Sequence, residues 1–105
     1  MKNLITAIAL TITTTAPLSA EKAVSEETKE HCAPLESLAT TIMETRQSGE
    51  SILTAMDIGD TAFAKGLVLV AYQSPHYSTD EYQRKAVTTF RNTVVLTCYE
   101  ARTTP

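Results

Sequence analysis

Histidine, glycine and cysteine are all scarce in this chain, and each shortage removes a class of chemistry. It has two histidines, three glycines and two cysteines in 105 residues. No GxSxG elbow, glycine-rich phosphate loop or CxxC pair can be assembled from them, which argues against an enzyme. Long apolar runs are missing too. Beyond the N-terminus the most apolar stretch is GLVLVAY at residues 66–72, far short of the ~18 residues a spanning helix needs. A basic excess is also lacking: nine lysines and arginines face twelve acidic residues, for a formal charge of −3. That balance argues against nucleic acid, or an anionic lipid surface, as partner, because both reward a basic patch.

What is present begins with an export signal. Lys2 supplies a positive start, and residues 4–12 (LITAIALTI) form an apolar stretch of h-region length. Thr13, Thr14 and Thr15 then lead to Ala16-Pro17-Leu18-Ser19-Ala20, where cleavage after Ala20 is expected. Residues 1–20 are read as a signal peptide; the competing reading is an uncleaved anchor. Cys32 lies too far beyond the apolar stretch to carry a lipid. The expected location is therefore periplasmic or secreted, with no stable membrane insertion after cleavage.

Both cysteines survive removal of the signal. An even count in an exported chain predicts a disulfide between Cys32 and Cys98. Closing a loop across most of the mature domain is worth up to ~4 kcal/mol, a large share of the 5–15 kcal/mol typical of a whole domain.

The mature chain reads as an all-α, small four-helix bundle-like domain. Residues 21–31 (EKAVSEETKEH) are charged and suggest a flexible polar leader, residues 32–102 a single helical domain, and 103–105 a tail. Helix one is expected over 34–48, with Pro34 in its first turn and Gly49 at its stop. Leu35, Leu38, Ala39, Ile42 and Met43 follow one buried face, with Glu36, Thr40, Glu44 and Gln47 pointing away. Ser51 can cap a second helix to about residue 57, with Ile52, Leu53 and Met56 inward. Asp60 is the expected N-cap of a third, over 61–74. Its face Phe63, Leu67, Val70 and Ala71, with apolar residues nearly all round, predicts the buried centre of the bundle. A fourth is expected over 79–102. Ser78 at N-cap and Glu81 at N3 make a capping box, Tyr77 and Tyr82 a hydrophobic staple. Tyr82, Ala86, Val87, Phe90, Val94 and Cys98 form its inner face.

Candidate chemistry is thin. His31 adjoins Cys32, but an oxidised Cys32 is neither thiolate nor metal ligand. His76 sits in the Pro75-His76-Tyr77 turn as a solvated loop residue. Asp57 and Asp60 flank Gly59 without the ligand count of a calcium loop. Ser51 and Ser78 occupy cap positions with no base nearby. No catalytic residue, metal site or cofactor is expected. The residues most suited to an interface are Arg46, Gln47, Tyr72, Tyr77, Arg84 and Arg91, since tyrosine and arginine are enriched in binding hot spots; helix packing and capping compete for the same side chains.

The strings IMETRQSG (42–49), AYQSPHYSTDEYQRKA (71–86), FRN (90–92) and CYEAR (98–102) resemble a family of uncharacterised small exported helical proteins of Gram-negative bacteria and their prophages. The resemblance covers residues 32–102 and implies a secreted helical domain, often phage-borne. It transfers no catalytic residue. The expected role is a non-enzymatic binding or accessory protein acting on an unknown protein partner in the cell envelope, with superinfection exclusion one possible use. Two alternatives are an acid-stress holdase chaperone, loosened when its carboxylates protonate, and an inhibitor of an envelope hydrolase.

Overall fold

A computed structural model of the chain describes residues 25–103; the signal segment and its expected cleavage site lie outside them. Four helices follow in order: α1 Glu26–Gln47, α2 Ile52–Ala55, α3 Ala62–Ala71 and α4 Asp80–Thr103. No strand occurs among the described residues. The all-α class and the helix count are as the sequence predicts, and Cys32 is bonded to Cys98 across a separation of 66 residues.

The longest helices, α1 and α4, run antiparallel. The disulfide ties them at one end; at the other the chain leaves α1, passes through α2 and α3, and enters α4 by the turn at residues 72–79. Ala39, Ile42 and Met43 of α1 meet Phe90 and Val94 of α4, Ala55 of α2, and Val68 and Ala71 of α3 in one buried cluster.

Helix α1 starts earlier than its proline suggests. Ser25 accepts the Thr28 N–H at 3.2 Å and caps the helix at Glu26, so Pro34 falls inside it. Residues 26–31 are helical, with Thr28 buried, and not the flexible leader their charge suggested. An interior proline costs a helix about 3 kcal/mol, but here the disulfide holds the segment preceding it. The other end is as expected. Gly49 takes a φ of +88°, Gly49 N donates to Arg46 O, and Glu50 N donates to Thr45 O, forming a Schellman closure.

Three caps or faces shift from expectation. Thr61, not Asp60, caps α3, its hydroxyl accepting Ala64 N at 3.0 Å. Thr79, not Ser78, accepts Tyr82 N at 3.3 Å and caps α4. Glu81 is thus one position short of N3 and the capping box does not form, although the Tyr77 and Tyr82 rings still meet at 6.0 Å. Leu53 of α2 faces solvent at 78% exposure.

Helix α3 is the largest correction. It buries Val68 and Ala71 in the cluster shared with α1 and Ala64 against the turn at Gly59. Phe63 and Val70, the face predicted to be inside, stay 53% and 52% exposed. The centre of the molecule is α1, on which α2, α3 and α4 all pack.

Candidate functional site: an apolar groove between α3 and α4

Helices α3 and α4 both dock on α1 but hardly touch one another. The space between them is a groove of about 750 Å³. Phe63, Leu67 and Val70 recur at helical spacing along α3 and form one wall. A second stripe of α4, beside the one packed on α1, forms the other: Tyr82, Ala86, Thr89, Thr93, Thr97 and Ala101. Leu35 and Met43 of α1 and Phe90 and Val94 of α4 reach the floor from the core. Tyr77 and Tyr82 stand at the end nearest the 72–79 turn; His31, Cys98 and Arg102 stand at the disulfide end.

The charge of the lining departs from that of the chain. Among the described residues no aspartate or glutamate lines the groove, and the charged side chains that do are Lys85 and Arg102. Lys85 lies over the Tyr82 ring, its Nζ 5.6 Å from the centroid, so one cation is seated on the groove wall.

Of the six residues suited to an interface, the structure brings only Tyr77 to this groove. Arg46, Gln47 and Tyr72 form a clamp behind the 72–79 turn, at the Tyr77 end of the groove. Arg46 Nε donates to Ser74 O at 3.0 Å, and its guanidinium stacks over Tyr72 at 5.0 Å. Gln47, expected outside, is 3% exposed. Its Nε2 donates to Pro75 O at 2.8 Å, and its Oε1 accepts Tyr77 N at 2.9 Å. The Tyr72 hydroxyl donates to Glu50 O at 2.9 Å. Burial raises the Tyr72 pKa above its ordinary value against the opposing pull of Arg46, and Glu50 adds to the rise. These contacts hold the 72–79 turn against α1, and with it the spacing of α3 from α4. Arg84 lines a smaller depression with Glu44 and Asp80, while Arg91 faces Glu36 at 3.8 Å in an exposed pair.

Of the groove residues, Phe63, Leu67 and Val70 were expected as core, and Lys85, Thr89, Thr93 and Thr97 were not singled out by the sequence. A signal existed. Threonines at 89, 93 and 97 keep a four-residue spacing beside the apolar stripe of α4, making a face too polar for a core and too uncharged for an ordinary surface.

His31 lies within α1 and His76 in the turn between α3 and α4. Among the described residues no group of three His, Cys, Asp or Glu side chains could hold a metal ion, and no helix is long and apolar enough to cross a membrane. Against known family models, curated proteins and solved structures, the chain has no match.

Proposed function

We propose that this chain is a non-enzymatic binding protein of the periplasm or the secreted fraction, and that the groove between α3 and α4 is where its ligand sits. One observation carries the reading. The groove lies in the 300–1,000 Å³ range of small-ligand sites, and an apolar lining with a few polar groups is their usual character. Phe63 and Val70 stand half exposed along the groove wall, as the apolar residues of a binding patch do. The disulfide supports a location outside the reducing cytosol. The resemblance to exported, phage-borne proteins supports an envelope setting for the ligand.

This reading stands ahead of the holdase. An acid-triggered chaperone needs carboxylates whose protonation unlocks the fold, and every described aspartate and glutamate is exposed. It also stands ahead of a hydrolase inhibitor, which works through a protruding anchor where this surface is concave.

Filling the groove tests it. Thr93→Trp places a large side chain on the α4 wall, whereas Leu96→Trp adds one on an exposed position that does not line the groove. An apolar fluorophore such as Nile red is expected to bind the oxidised protein and the Leu96 variant, and to lose at least tenfold in affinity for the Thr93 variant. Equal binding to both variants would remove the groove from the function.

A further inference from the structure

Building on the groove as the binding site, we infer that its ligand is a single-chain anionic amphiphile: an acyl chain along the α3–α4 groove, with its carboxylate at Lys85 or Arg102. The α4 wall of the groove runs from Tyr82 to Arg102, ~30 Å at the helical rise, and faces α3 over the ~10 Å from Phe63 to Val70 and α1 residues Leu35 and His31 beyond. An acyl chain spans about half the ~30 Å hydrocarbon core of a bilayer, roughly 15 Å. One chain fits with its head near either cation.

Charge separates this ligand from a second copy. A symmetric dimer through this face would set Lys85 and Arg102 against a lining that has no carboxylate to receive them. The acidic side chains of the chain do not line the groove, but Glu81 lies one helical turn from Lys85 and Glu100 two residues from Arg102, so the gain of an anionic head from either cation is modest. The Thr89, Thr93 and Thr97 wall is apolar through its methyl groups, and the Thr97 hydroxyl is already bonded to Thr93 O at 2.8 Å.

The test titrates the oxidised protein, as the expressing cell processes it, with three ten-carbon probes below their micellar concentrations at pH 8 and 0.1 M salt. Decanoate, decanol and decyltrimethylammonium share a chain and differ in head charge. Calorimetry is expected to show one site, with decanoate bound roughly three- to tenfold more tightly than decanol, the modest gain due from solvated charges, and the cation bound least. Lys85→Gln with Arg102→Gln should bring decanoate to the level of decanol. Lys29→Gln with Arg84→Gln, the same change in net charge away from the groove, should leave the preference intact. Equal binding of decanoate and decanol to the unaltered protein, a preference that survives the Lys85/Arg102 change, or uptake only at the surface of anionic vesicles would overturn the amphiphile while leaving an apolar groove standing. Failure of all three probes would sink the groove reading itself.

Discussion

Single residues set the shape of the groove from a distance. Gln47 is the clearest case: one buried amide satisfies the Pro75 carbonyl and the Tyr77 N–H, both on the segment that separates α3 from α4. Gln47→Leu keeps the volume and strands both backbone groups, so it is expected to cost about 2–4 kcal/mol, read as a lower urea midpoint with an unchanged slope. Tyr72 acts beside it and carries a pH signature. Its folded-state pKa lies above that of the unfolded chain. The stabilising contribution is therefore complete below pH ~10, the ordinary tyrosine value, and is lost as pH rises through the folded value. Ionisation also ends the hydroxyl's donation to Glu50 O. The unaltered protein should lose stability on an alkaline limb above pH ~10, and Tyr72→Phe should be less stable at neutrality by ~1 kcal/mol with that limb flattened. Thermal melts between pH 8 and 11 check both. Neither role was legible in the sequence. Gln47 lies on the polar side of α1 by periodicity, and only the return of the chain at residues 74–77 makes that side an interior.

At the level of elements, the sequence shows helices well and their edges less well. Gly49 and Ser51 mark their boundaries as local chemistry dictates, because a positive φ and a hydroxyl cap each depend on few neighbours. Pro34 misleads because the rule that puts proline in a first turn knows nothing of a disulfide two residues earlier that can hold an interrupted helix. The α4 start contains two adjacent hydroxyls, and Ser78 with Glu81 looks the better box, yet Thr79 is the residue that accepts Tyr82 N. Gln83 Nε2 explains part of the shift: it donates to Tyr77 O at 2.7 Å and fixes the turn one residue further along. Thr79→Ala should then cost about 1 kcal/mol, as loss of a cap does, and Ser78→Ala only a few tenths. The opposite order in paired denaturation curves would return the cap to Ser78. Helix α3 shows where periodicity fails for a different reason. Apolar nearly all round, it offers several faces to bury, and the one that meets the core carries Val68 and Ala71, with Ala64 on the turn at Gly59.

For the molecule as a whole, the arrangement is two long helices bonded at one end, with a third helix leaning on one of them. The core is correspondingly thin, and its fully buried side chains are few and mostly of medium size: Ile42, Met43, Val68 and Cys32. In such a fold the covalent tie decides more than it would in a large domain. The Cys32–Cys98 bond closes 66 residues of sequence separation, worth ~4 kcal/mol against the unfolded chain. It also joins α1 to α4 where Cys98 lines the disulfide end of the groove. The double variant Cys32→Ser, Cys98→Ser is therefore expected to lose ~3–4 kcal/mol, which for a domain of this size is a drop in Tm of ~10–30 °C. Single replacement leaves a free thiol and a less interpretable result. Because α1 and α4 share Ile42, Met43 and Phe90 two or more helical turns from the bond, helix content at low temperature should persist without it. Circular dichroism at 10 °C and a thermal melt separate the two effects. A variant that keeps both its helix signal and its melting temperature would mean that the apolar cluster alone holds the domain, and that the bond serves only to fix one end of the groove.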